Sequence, residues 1–177
     1  DVAVSFNRPY AKYCQIVDAP LSIGSGEFFL WEFPVAFWLE MHGYDVSYVS
    51  ALDTHFGTAG LLRARAFLSV GHDEYWSVGQ RDTIEAYVRR GGNVASLSGN
   101  TMFWQVRLDE PGADGVHRGY TCHKYAAHRA DPVVGTDRQH LMTGMWCDPL
   151  VGRPETGFLG AGSAWGLYHR FGQATAR

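Results

Sequence analysis

The stretch Ala66–Ser77, AFLSVGHDEYWS, constrains the chain more than any other. It opens as a short apolar run rich in strand formers and breaks at Gly71. Three ionisable residues follow at once (His72, Asp73, Glu74), then two aromatics, then a helix start. Ser77 and Gln80 have the spacing of a capping box, in which the hydroxyl takes the N–H three residues on. The helix expected over Ser77–Arg90 carries Val78, Ile84, Ala86, Tyr87 and Val88, and Gly91-Gly92 stops it. His72, Asp73 and Glu74 therefore sit on a strand-to-helix turn. In open α/β sheets ligands bind there, beyond the carboxyl ends of the strands.

The rest of the chain repeats this alternation. Val2–Phe6 reads as a first strand, ended by Asn7-Arg8-Pro9-Tyr10, since Pro9 cannot extend a ladder. A long connection holding Gly24-Ser25-Gly26 leads to a helix over Glu27–His42. Its expected buried face is Phe28, Trp31, Val35, Trp38 and Leu39; Pro34 marks a kink or a restart, and Gly43 a stop. Asp45–Ser50 reads as a second strand, Thr58–Arg63 as a short helix, Arg65–Val70 as a third strand and Asn93–Ser98 as a fourth. Strand and helix in alternation give a parallel sheet with helices on both faces, an α/β fold of flavodoxin-like type. From Arg107 the pattern fails. Gly, Pro, Asp and His become frequent, with Val133-Val134 and Leu141–Met145 as short strands. This divides the chain into a three-layer core over 1–106 and a loop-rich continuation of the same domain over 107–177.

Composition removes several classes of function. At 177 residues the length suits one domain, and 46% hydrophobic residues suffice for a full core. Net charge is −3 and there is no lysine–arginine stripe, so nucleic acid is not an expected partner. The most apolar stretch, Phe28 to Met41, contains Glu32, Pro34 and Glu40 and is too short to span a bilayer, so no membrane partner is expected. Cys14, Cys122 and Cys147 are odd in number and widely spaced, which fits reduced thiols rather than a disulfide scaffold or a zinc knuckle. The chain begins at Asp1 inside a strand-like run, as a piece of a longer polypeptide would. The expected location is cytoplasmic.

With strands in the order 2-1-3-4, the loops after strands one, three and four open on one crevice. They bring together Tyr10, the His72–Glu74 turn and Asn100. A carboxylate, a phenol and an imidazole are hard-to-borderline ligands that suit ferric iron, manganese or zinc better than copper(I) or an iron–sulfur cluster. Each residue alone has a commoner structural use. Glu74 satisfies a helix N-terminus, His72 and Tyr10 make loop contacts, Asn100 tolerates a positive φ, and Trp76 and Trp104 pack. His55, after the second strand, has a weaker case. Domains of the class I glutamine amidotransferase layout place a nucleophilic cysteine at such a turn. Here the turn holds His72-Asp73-Glu74, so that mechanism is excluded by residue type.

Several separated motifs occur in order: Val4-Ser5-Phe6-Asn7-Arg8-Pro9-Tyr10, Gly24-Ser25-Gly26-Glu27-Phe28-Phe29-Leu30-Trp31-Glu32, Ser69 to Trp76, and Gly99-Asn100-Thr101-Met102-Phe103-Trp104. Together with Arg153-Pro154-Glu155 they resemble the C-terminal domain of the N,N-dimethylformamidase large (beta) subunit and its relatives. The resemblance implies a glutamine-amidotransferase-like α/β fold. It also implies an amide hydrolase with mononuclear Fe(III) held by two tyrosines and one glutamate. On this chain Glu74 matches the glutamate, His72 a histidine beside the metal ligands, Asn100 an asparagine after the next strand, and Tyr10 one tyrosine. Tyr13, Tyr48, Tyr75 and Tyr125 remain open for the second, as does a tyrosine outside this stretch of sequence.

The expected function is hydrolysis of a small amide with the metal as Lewis acid. In it His72 or Asp73 handles a proton, Asn100 stabilises the oxyanion, and Trp76, Phe103 and Trp104 wall the substrate pocket. Expected partners are the amide, the remaining domains of a longer chain, and a small subunit or further copies of the chain. The competing readings are a non-catalytic α/β binding module of a larger secreted or cell-surface protein that kept the fold and lost the metal, and a sugar-utilisation-type domain of the same superfold that binds carbohydrate through Trp76, Trp104 and His72.

Overall fold

The computed structural model of the chain describes residues 2–7, 28, 29, 31–58 and 60–162. Its strands are β1 (Ala3–Ser5), β2 (Ala66–Gly71), β3 (Tyr75–Ser77), β4 (Asn93–Ser98), β5 (Trp104–Leu108) and β6 (Gly119–Thr121). Its helices are α1 (Glu32–Met41), α2 (Ala51–His55), α3 (Val78–Arg89), α4 (Ala127–Ala130) and α5 (Thr156–Leu159), with short 3-10 turns at Leu61–Arg63, Lys124–Ala126 and Gln139–Leu141. The architecture is mixed α/β. No helix among the described residues is long and apolar enough to cross a membrane.

Two ladders organise it. β2 and β4 pair in parallel, from Ala66 opposite Asn93 to Gly71 opposite Ser98. The other sheet has the order β1-β6-β5-β3, with β3 parallel to β5 and the remaining pairs antiparallel. The expected 2-1-3-4 order is not what the described strands form. β1 joins β6 with Ala3 opposite Thr121, and the ladder is extended by Phe6 N–H to Arg118 O and Cys122 N–H to Val2 O. The Phe6 and Tyr120 rings pack 5.6 Å apart on that pair. β5 runs through the expected division at residue 106 and ties the two halves of the chain together.

Several boundaries moved for local reasons. Asp45–Ser50 forms no ladder; it is an irregular lead into α2, where Ser50 and Asp53 make a reciprocal capping box. Among the described residues of 58–63, Leu61–Arg63 is the helical part. Val133-Val134 lies in a turn. Of Leu141–Met145 only Met145 makes a bridge, to Trp104. Pro34 falls in the first turn of α1, where its missing N–H costs no intrahelical bond, so it marks a start rather than a kink. The buried face expected of this helix is absent. No residue of α1 is buried, and Phe37, Trp38 and Met41 are about half exposed or more.

The core lies between β3, β5, α3 and the segment after β6. Trp76, Ile84, Met102, Met142, Trp146 and Val151 form one cluster, and Trp104, Val106 and Cys122 a second. α3 starts where Ser77 Oγ accepts the Gln80 N–H, as the spacing predicts, and its inner face carries Ile84, Tyr87 and the buried Arg81. Arg81 donates to the carbonyls of Arg153 and Pro154 and to Glu85 Oε1, and lies 4.7 Å from the centre of the Trp146 ring. The Arg153-Pro154-Glu155 motif is thus docked on α3.

Beneath β5 a buried carboxylate sets the register of the loops after β6. Asp131 Oδ2 accepts from Arg107 Nη1, from Thr143 N–H and from Thr143 Oγ1, each at 2.8 Å, and lies 3.3 Å from His123 Nδ1. Burial alone would raise its pKa. The Arg107 guanidinium and the Thr143 donors overcome this and hold it far below the usual carboxylate range.

Replacing Ile84, which has no exposed surface, with alanine should lower stability by about 2–5 kcal/mol, read from the urea unfolding midpoint. Asp131→Asn should cost about 3 kcal/mol, because Arg107 is left without its counter-charge. A depressed folded-state pKa adds stability that is complete above the unfolded value near 4 and is lost as pH falls toward the folded one. Urea midpoints of the native chain should therefore fall between about pH 5 and pH 2 by more than those of Asp131→Asn.

Candidate functional site

Gly71 ends β2 with φ +87°, a conformation that favours glycine, and a Cβ there would lie 2.7 Å from Glu32 Oε1. The chain leaves the β2–β4 ladder at this point and enters the β3–β5 ladder at Tyr75. Between them the His72–Glu74 turn lies against the Gly99–Phe103 turn, which makes the same crossing from β4 to β5. The two turns are joined by backbone bonds: Gly99 N–H to Gly71 O, Met102 N–H to Asp73 O, and the N–H groups of Phe103 and Trp104 to Glu74 O. This double crossing brings Asn100 to the His72 turn.

The three ionisable residues of the turn face different surroundings. Asp73 points inward: Oδ2 accepts from Ser69 Oγ at 2.8 Å, its N–H donates to Ser98 Oγ at 2.7 Å, and its carbonyl takes the Trp76 indole N–H at 3.0 Å. Burial pushes its carboxyl up from the ordinary value. Asp73 is thus an anchor beneath the turn. Glu74 is partly open, with a side chain 15% exposed. Its Oε1 accepts the Trp104 indole N–H at 2.8 Å, and its Oε2 lies 3.2 Å from His72 Nδ1. The His72 ring is 45% exposed and rests on Gly99, where a Cβ would come within 3.2 Å of Cδ2.

Asn100 adopts φ +50° and lines a cavity of about 490 Å³ between β4 and α5. Ser96, Ser98 and Thr101 give this cavity hydroxyl groups, Val88 and Phe158 give it apolar walls, and none of its lining residues is charged. Ser98 belongs both to this lining and to the support of Asp73.

Trp76 and Trp104 do not wall an open pocket. They are 1% and 2% exposed, with both indole N–H groups committed to the turn. A sugar platform built on them has no aromatic face to offer. Phe103 is partly buried and packs edge-on against Trp104 at 4.8 Å. His55 lies under the start of α3, its Nδ1 2.6 Å from Ser77 Oγ, with burial and then the neighbouring His117 lowering its pKa.

Tyr10 lies outside the described residues, as does Tyr13. Of the other tyrosines, Tyr48 donates to Glu40 Oε1, Tyr75 accepts from Lys124 Nζ, and Tyr125 packs edge-on against Trp104. Among the described residues no group of three or more His, Cys, Asp or Glu side chains could hold a metal ion. The turn offers one hard carboxylate, oriented by an indole N–H, beside one imidazole. A carboxylate is a donor type that ferric iron takes.

For three further residues the sequence gives no sign of what they touch. Glu32 reaches Gly71 only because α1 crosses the end of β2. Ser98 was one strand residue among several. Lys124, beside Trp104 and Tyr75, stood in a stretch without periodicity.

A search of curated proteins finds no match to the chain. Residues 1–176 match the family described as N,N-dimethylformamidase beta subunit-like, C-terminal. That description places such a domain in a larger multi-subunit or multidomain assembly. On a match covering nearly its whole length, the chain belongs to the N,N-dimethylformamidase beta subunit-like C-terminal domain family.

Proposed function

We propose that the chain carries part of the active site of an amide hydrolase of the dimethylformamidase type, acting on small neutral amides. The observation that carries this reading is the Glu74 carboxylate, set between a buried indole N–H and a half-exposed imidazole on a turn bonded through its backbone to the Gly99–Trp104 segment. In this reading Glu74 and Tyr10, with a second tyrosine, would hold a mononuclear Fe(III). Bound iron would supply Lewis acidity toward a carbonyl oxygen or a water. The parallel pairs β2–β4 and β3–β5 would then belong to a glutamine-amidotransferase-like sheet. The remaining domains of a longer polypeptide, a small subunit or further copies would complete the assembly, and its proposed location is the cytoplasm.

The residues of this chain divide the work. Trp104 holds Oε1 of Glu74 and so fixes the plane of the carboxylate. His72 Nδ1 lies 3.2 Å from Oε2; in the tautomer that carries its proton on Nδ1, Nε2 would take a proton from a water and return it to the departing amine. Asn100 carries an amide N–H that can meet charge developing on the substrate oxygen. Asp73 carries no proton in this scheme; it holds the turn from below through Ser69 and Ser98.

Incubation of the purified protein with N,N-dimethylformamide should release dimethylamine and formate in equal amounts. Asn100→Ala should lower kcat by roughly 10²-fold or more with a small change in KM, as for removal of an oxyanion donor. Glu74→Gln should abolish turnover. A Glu74→Gln protein with native turnover would end the assignment.

A further inference from the structure

Lys124 is one of the described non-glycine residues with positive φ, at +54°, and lies on none of the elements that form the turn. Its backbone is pinned by Lys124 N–H to Thr143 O at 3.0 Å, and Thr143 is in turn fixed by Asp131. From this anchor the side chain runs back to the site. Its ammonium donates to Tyr75 Oη at 2.5 Å, and lies 4.8 Å from the centre of the Tyr75 ring and 5.7 Å from that of Trp104. Backbone conformations of this kind persist only where the surroundings over-determine them, and they cluster at functional sites.

We infer that Lys124 is a positioning residue for Glu74, acting through Trp104. A cation over an indole face is held by the ring's electrons and draws density from them. The Trp104 N–H becomes a stronger donor, and it is the group bonded to Glu74 Oε1. The same ammonium grips the hydroxyl of Tyr75, the residue next to Glu74, and so limits how far the turn can swing. Lys124 thus fixes the carboxylate's orientation from the side opposite His72 without touching substrate. Its functional meaning rests on the proposed role of Glu74, but the coupling itself can be measured without iron or substrate.

The test is the indole ¹H–¹⁵N spectrum of the whole chain, in which Trp104 is assigned as the signal missing from Trp104→Phe. Glu74→Gln and Lys124→Met should each move the Trp104 signal upfield, and Lys124→Arg should restore its native position. Lys124→Met should also bind iron more weakly in a titration followed by metal content, again with rescue by Lys124→Arg. A Trp104 signal unmoved by Lys124→Met, or one that arginine fails to restore, overturns the inference. Absence of amide hydrolysis would count against the proposed function and leave the spectral result standing. Urea unfolding of each variant separates a displaced indole from a general loss of fold.

Discussion

Glu74 takes the N–H groups of Phe103 and Trp104 on its carbonyl and the Trp104 indole N–H on its carboxylate. The rest of the site depends on this joint. It fixes one turn against the other, so that the residues following β2 and β4 share one place. It also sets the direction of the one carboxylate that is neither buried under the turn nor spread into solvent. Trp104 is 2% exposed, so the donor works in surroundings of low polarity, where a hydrogen bond to a charged acceptor is strong. Asp73 and Trp76 brace the joint from below, and the Asp131 network braces the loops beside it. A core of tryptophan and methionine behind the turn is therefore part of the site's rigidity rather than its wall.

The elements legible in the sequence were those specified by local chemistry. Ala66–Gly71 followed by a helix capped at Ser77 was readable because apolar residues, a glycine break and a capping serine act within a few positions of one another. Asn93–Ser98 was readable for the same reason. What could not be read was set by partners far along the chain. Ala3–Ser5 looks the same beside a parallel strand as beside Gly119–Thr121, and only the tertiary register decides. Asp45–Ser50 has strand composition but finds no ladder. The site was legible as a cluster of residue types in one turn, while its internal division was not. Nothing local says that Asp73 turns inward to Ser69 while Glu74 turns outward to His72, or that two tryptophans serve as donors beneath them.

α1 adds a constraint on the assembly. A helix this rich in apolar residues is ordinarily buried, yet here Phe33, Phe37, Trp38 and Met41 are exposed, continuous with Phe28 and Phe29 through a run of edge and tilted ring contacts. Glu32, at the first turn of this helix, lies against Gly71 at the end of β2. The helix thus joins an exposed aromatic surface to the segment that leads into the His72–Glu74 turn. That geometry accords with a domain belonging to a larger assembly, as the family description has it.

The central claim is that the Glu74 turn presents a metal-holding carboxylate. Elemental analysis of protein purified without added metal, with a visible absorption spectrum of the same sample, tests it most directly. The account predicts about one iron per chain and a tyrosinate-to-iron charge-transfer band, both lost in Glu74→Gln. A folded native protein with no iron and no such band would contradict it.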